Sequence, residues 1–218
     1  MFDTPYFADI PLLNAFLQTL LLLVLPLAIT LLLGSAAGIW VFFWRNPLFS
    51  RSVKPHPFAS RPLRYFRSYG YLAFLPLLLL LAQRILGLEQ GAASVFVISL
   101  GALPYYIFHI HRGLSRLDVS ILESALSSGL NKWWIILRVL LPLGKFRLIH
   151  AFFETSLFVL SMGAVSGLLT GYGLSGAALT FIDYNRGTLD YLWAYLLLAL
   201  LFVLAADLSS RFAKKAKE

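Results

Sequence analysis

The chain alternates long apolar runs with short polar islands. Stretches of Leu, Ile, Val, Phe and Ala, uncharged or nearly so, cover about residues 12–44, 68–88, 91–109, 148–170 and 189–208. Each is close to or above the ~20 residues an α-helix needs to cross a bilayer core of about 30 Å. The first is longer than a crossing requires. Its uncharged run from Ile10 to Trp44 would extend about 52 Å as helix, so part of it must tilt or lie at an interface. The pattern predicts an all-α polytopic membrane protein with five transmembrane helices. Residues 1–218 form a single transmembrane domain, with no soluble domain of its own.

One polar island has a pattern of its own. In "ESALSSGLNKWWIILRVLLP", Glu123 to Pro142, a carboxylate, three serines, an asparagine and two cations interrupt the apolar background. Ser115 and Asp118 are spaced as in a capping box. Val119, Leu122 and Leu126 then share one helical face, with Ser120, Glu123, Ser127 and Ser128 turned away from it. Gly129 suits the left-handed residue that ends a helix. Asn131 can cap a second helix whose stripe is Trp133, Ile136, Leu137 and Leu140, until Pro142 stops it. Residues 115–142 therefore predict a helix–turn–helix on the membrane face, with a polar ridge available for docking.

Composition supports the bilayer as solvent: 59% of residues are hydrophobic and 13% charged, with mean hydropathy +0.79. The chain holds no Cys, which removes disulfides, thiolate metal sites and Cys nucleophiles. The first run lacks the basic flank of a signal peptide and is too long for one, so it is read as a span. Charge then orients the spans. Arg45, Arg51, Lys54, Arg61, Arg64 and Arg67 lie between the first two, and Arg112, Arg116, Lys132, Arg138, Lys145 and Arg147 between the third and fourth. Arg211, Lys214, Lys215 and Lys217 follow the last, so only Arg84 and Arg186 of the 18 cations fall elsewhere. By the positive-inside rule the N-terminus is outside and the C-terminus cytoplasmic. The net charge of +8 sits at helix ends, where topology accounts for it, and gives no argument for nucleic acid.

Candidate chemistry within the spans is sparse. Glu154 is a carboxylate inside the fourth span, which is costly unless paired, and His150 one turn earlier is the obvious partner. The pair either gates a pathway or holds two helices together. Pro26, Pro76 and Pro104 fall inside predicted spans, where each frees a carbonyl that neighbours or cavity water must satisfy. Met162 and Gly163 follow Glu154, and Gly163 with Gly167 has the small-xxx-small spacing of close helix contacts. Pro104, Met162, Gly163 and Gly167 join His150 and Glu154 as pathway candidates. The rest of "GAVSGLLTGYGLSG" reads as a turn or re-entrant loop on the outer side. Arg84 can snorkel or pair with Glu89. His109 and His111 are either metal ligands or interfacial histidines at a helix end.

The docking ridge carries a family resemblance. The chain resembles the membrane subunits of bacterial ABC importers, whose cytoplasmic signature is E-A-A-x3-G-x9-I-x-L-P. Glu123, Ser124, Ala125, Gly129, Val139, Leu141 and Pro142 stand in that register, with Ser124 and Val139 departing from it. Around them "YFRSYGYLAF", "QRILG" and "GALPYYIFHIHRGL" are similar to the methionine-uptake type. The family's run of consecutive glycines is looser here, as "GLLTGYGLSG", and "FVLSMG" stands where a Tyr-Ser pair is expected. The resemblance implies an inner-membrane permease subunit, a homodimer around a central pathway, surrounded by membrane lipid. Residues Glu123–Pro142 would insert into a separate ATP-binding subunit present in two copies. An external solute-binding protein would deliver a small solute, such as the amino acid methionine. ATP and Mg would sit on the partner ATPase, because this chain lacks a phosphate-binding G-x-x-x-x-G-K-[ST]. It would need no cofactor and perform no covalent chemistry.

Two alternatives stay open at this level. One is a permease for a different solute: a polar amino acid, another organic molecule or a metal chelate. The other is an intramembrane serine protease, since Gly173-Leu174-Ser175-Gly176 matches the G-x-S-G of rhomboids. That chemistry needs a general base beside Ser175, which His109 or His150 would have to supply.

Overall fold

The computed structural model describes residues 12–46, 48–49, 70–117, 119–129, 131–182 and 188–215. Most of the cation-rich loop after the first span, Asp118 of the expected capping box and Arg186 lie outside them. Among the described residues every regular element is helical: α1 Leu12–Arg45, α2 Gly70–Ile85, α3 Gln90–Leu114 and α4 Val119–Ser127. α5, Lys132–Ile135, runs through a π-helical turn at Ile136–Leu140 into α6, Leu141–Thr170. α7 is Gly173–Ile182 and α8 Thr188–Lys215.

Four segments are long and apolar enough to cross a membrane: Leu12–Trp44, Gln90–Leu114, Trp133–Thr170 and Leu192–Phe212. α2, placed within the second predicted span, has only 16 residues. At 1.5 Å per residue it reaches about 24 Å, a little short of a full hydrocarbon core. It ends at Gly87, whose φ of 61° lets the Leu88 N–H return to the Ala82 carbonyl at 3.4 Å, a left-handed helix terminus. Pro26, Pro76 and Pro104 all lie within helices.

α1 packs along α3, α3 along α6 and α6 along α8, while α7 sits against α1, α6 and α8. Lipid is as apolar as a leucine side chain, so close contact and hydrogen bonds have to hold such helices together. Both are present. Gly101 of α3 leaves room for the Tyr71 ring of α2, whose hydroxyl donates to the Val97 carbonyl. The Tyr195 hydroxyl of α8 donates to the Leu160 carbonyl of α6 at 2.7 Å. One buried cluster centres on Leu75, Val97, Ile98, Val159 and Met162. A second joins the end of α1 to α3, α4 and α5 through Phe42, Ile110, Leu114, Leu122, Ile135 and Leu140.

Two expectations are corrected here. Pro142 does not stop the helix begun at Asn131. The chain continues helical to Thr170, because the π turn precedes the proline, with the Leu141 N–H bonded back to the Ile136 carbonyl. A widened turn is the adjustment that lets a helix pass a residue with no N–H and a bulky ring. The buried side of this segment also differs from the expected stripe. Trp133 and Leu137 are exposed while Ile135 and Leu140 are fully buried. In "GLLTGYGLSG" the structure has the turn of the two alternatives: Gly171, left-handed at φ 73°, caps α6, and α7 begins after Tyr172.

Candidate functional site

The polar island folds as two helices about a tight turn. α4 ends with the Ser128 N–H on the Ser124 carbonyl, and the Gly129 N–H on the Leu126 carbonyl. Gly129 then takes φ 71°, a conformation that costs glycine nothing and a branched residue a great deal. An added Cβ would meet no atom within 4 Å, so the demand for glycine is conformational and not steric. The Trp134 N–H bonds the Asn131 carbonyl at 2.9 Å, which starts the next helix at Asn131. Leu122 and Ala125 are buried, anchoring α4 to the ends of α1 and α3. Glu123, Ser124, Ser127 and Ser128 are exposed on the other face. The Ser124, Ser127 and Ser128 hydroxyls donate to carbonyls four residues back, which leaves the Glu123 carboxylate as the outward charge of the ridge. Leu141 and Pro142 stand at the start of α6, beyond the π turn.

The second site lies along α6. Glu154 accepts from His150, one turn earlier, with Oε1 3.2 Å from Nε2. Its other oxygen faces α3, where His109 Nδ1 is 2.9 Å from Oε2. An ionised carboxylate only accepts, so each imidazole presents an N–H to it. His150 Nδ1 lies 3.2 Å from Ser209 Oγ on α8. One carboxylate thus ties α3, α6 and α8 together through side chains that lipid could not satisfy. The cluster borders an open cavity of about 570 Å³ walled by Tyr105, Phe158, Ser161, Asp207 and Ser210 beside His150 and Glu154. Tyr105 and Phe158 stack at 4.5 Å and 12°, and Asp207 pairs with Arg211 at 2.8 Å.

The other pathway candidates behave differently. Met162 is 2% exposed within the first core cluster, so it packs. Pro104 immediately precedes the cavity residue Tyr105 on α3. Gly163 is half-buried with open space around an added Cβ, whereas at Gly167 a Cβ would collide with the Ser175 side chain and the Tyr172 carbonyl of the α7 turn. The first N–H groups of α7 are capped from α1: Gly173 N–H donates to Gln18 Oε1 at 3.0 Å, and Leu174 N–H to Thr19 Oγ1 at 2.8 Å.

These contacts remove the protease alternative. Ser175 sits against Gly167, 17 residues beyond His150 on the same unbroken helix, about 25 Å at 1.5 Å per residue. His109 is engaged with Glu154, about 20 Å along that helix from Gly167. His109 therefore serves a carboxylate, and among the described residues no group of three or more His, Asp or Glu is placed to hold a metal ion. Sequence reasoning missed His109 as Glu154's second partner and missed Gln18 and Thr19. The i, i+4 spacing exposes His150 alone, because the other partners come from different helices.

The chain is a polytopic helical bundle carrying a polar helix–turn–helix and an internally paired carboxylate, and its family makes it an integral membrane transport component. Residues 58–216 match the binding-protein-dependent transport system inner membrane components, and the chain is a member of that family. It is 25% identical to the probable D-methionine transport system permease protein MetI of Haemophilus influenzae over 191 residues, 86% of this chain and 88% of that protein. It is 23% identical to the Vibrio cholerae protein of the same name over 171 residues, 78% of this chain and 76% of that one. Its fold is similar to a chain of the MetNI methionine ABC transporter solved in inward-facing conformations. The TM-score is 0.77 at 19% identity, covering 94% of this chain and 95% of that one. The protein is a multi-pass permease of the inner membrane and a transport component, not an enzyme.

Proposed function

We propose that this chain is the permease subunit of an ABC importer that carries a small amino acid, with methionine the first solute to test. The MetI relatives are named for D-methionine transport, and the fold likeness to MetNI extends over nearly the whole chain. α2 serves as a fifth span, and the cation distribution sets the N-terminus outside and the C-terminus in the cytoplasm. Two copies of the chain pair about a central pathway and receive solute from an external binding protein.

Residues 115–142 act as the coupling element. Glu123 and Ser124 face a cleft of a separate ATP-binding subunit, one copy per permease, which holds ATP and Mg. Ala125 anchors the ridge, and Gly129 sets its angle. Leu141 and Pro142 join it to α6, so a push on the ridge is delivered along a continuous helix to His150 and Glu154. The observation that carries this reading is the exposed polar ridge closed by a left-handed Gly129, in a chain of this family.

The test is reconstitution in liposomes with an ATP-binding subunit that co-purifies with the chain and a solute-binding protein that docks on it. Uptake of radiolabelled methionine should require ATP and be competed by unlabelled methionine. Uptake without ATP dependence would remove the importer reading, whereas ATP-driven uptake of a different amino acid would replace only the solute.

A further inference from the structure

The cavity beside Glu154 is walled largely by apolar side chains, but charged and hydroxyl groups open onto it in a part of the bundle where such groups are expensive. Glu154 remains 33% exposed, and Asp207, Ser161 and Ser210 open onto the same space from two helices. Charged and hydroxyl groups at membrane depth face protein interior or a water-filled cavity and not hydrocarbon, so this wall of the bundle borders water or solute. The charges around it come from three helices: His109 and Arg112 from α3, His150 and Glu154 from α6, Asp207 and Arg211 from α8. Asp207 is offset by Arg211, four residues on. Glu154 is held by two imidazoles, each of which presents an N–H to it. The Ser209 hydroxyl, which donates to the Ala206 carbonyl at 2.8 Å, lies 3.2 Å from His150 Nδ1 and holds the ring in place. Beside the carboxylate, Tyr105 packs against both Phe158 and His109, and Tyr105 and Phe158 add aromatic area to the cavity wall, which takes apolar groups.

We infer that this cavity binds the positively charged ammonium group of the transported solute, with Glu154 as the counter-charge and Tyr105 and Phe158 as the wall for its apolar part. The two imidazoles orient both carboxylate oxygens and leave their remaining lone pairs for the ligand. The site selects for amine-bearing solutes and against purely anionic ones. A volume of about 570 Å³ admits an amino acid with water around it. The inference rests on the importer reading for the word "transported", and its charge preference is testable without that reading.

The absence of Cys gives a direct test. Ser161→Cys places one thiol in the cavity, and Ser210→Cys places one on the opposite wall. Each variant is reconstituted in nanodiscs as the full chain, with its ATPase where that subunit co-purifies. Labelling rates are measured with a cationic trimethylammonium-ethyl and an anionic sulfonato-ethyl methanethiosulfonate, each divided by its rate with free thiol. The expected result is a cation preference of about ten-fold at both positions, falling to within about two-fold in Glu154→Gln. Failure of both thiols to react with either reagent would show a face closed to water and overturn the site. A preference unchanged by Glu154→Gln would overturn it equally. ATPase recruitment is read separately by co-purification, so loss of the importer reading and loss of the cation site cannot be confused.

Discussion

The two ends of α6 use opposite chemistry. Toward its N-terminal half, His150 and Glu154 reach His109 and Ser209 on neighbouring helices and leave an open cavity beside them. Toward its C-terminus, Gly167 lets the α7 turn lie on the helix with no space for a methyl group, and Gln18 and Thr19 fasten α7 from α1. Charged groups need partners and water, so they hold helices at a distance. Glycine removes the side chain altogether, so backbones touch. A single helix thus carries a loose polar junction at one end and a closed seam at the other.

The seam should be the more fragile of the two. Gly167→Val would drive branched carbons into Ser175 and the Tyr172 carbonyl, a rigid contact that cannot move without displacing α7. The expected loss is about 3 kcal/mol, at the upper end for overpacked cores, seen as a large drop in the midpoint of thermal unfolding in detergent. Thr19→Val comes next. It keeps the volume but strips the acceptor from the buried Leu174 N–H, at about 1–3 kcal/mol. The matching observable is faster hydrogen exchange at the start of α7 with little change elsewhere. Gly163→Ala is the control, since an added Cβ meets nothing within 4 Å. It should be neutral or gain up to about 1 kcal/mol from helix propensity. If Gly163→Ala proved as damaging as Gly167→Val, close packing would extend down α6 and the contrast between its ends would dissolve.

How much of this the sequence disclosed depends on where the partners lie. The Glu154–His150 pair was legible because four residues along a helix is a fixed geometry, and Gly129 because helix ends have a recognisable chemistry. The helical, multi-pass class followed from run length alone. His109 was not legible as a partner, since it is 45 residues away in the chain and the register of α3 against α6 is set by packing. Gln18 and Thr19 were hidden for a related reason. In lipid a span is apolar on all sides, so periodicity gives no sign of which face of α1 meets α7. Pro142 misled because a proline is compatible with a helix once a π turn precedes it, and no local signal marks that turn.

The coupling role of the ridge is the centre of the functional reading, and Gly129 isolates it. A Cβ there meets no neighbour, so any defect arises from the φ of 71°. Asparagine tolerates that backbone region and valine does not, at about 1–3 kcal/mol of strain. The decisive measurement is recovery of the ATPase subunit on a tagged permease, comparing Gly129→Val with Gly129→Asn at equal membrane insertion. The expected result is a loss of at least about ten-fold in bound ATPase for valine, since a strain of ~1.4 kcal/mol is already a factor of ten, and near-normal recovery for asparagine. Normal recovery for valine, with ATP-driven uptake intact, would contradict the assignment of residues 115–142 as the element that couples ATP hydrolysis to transport.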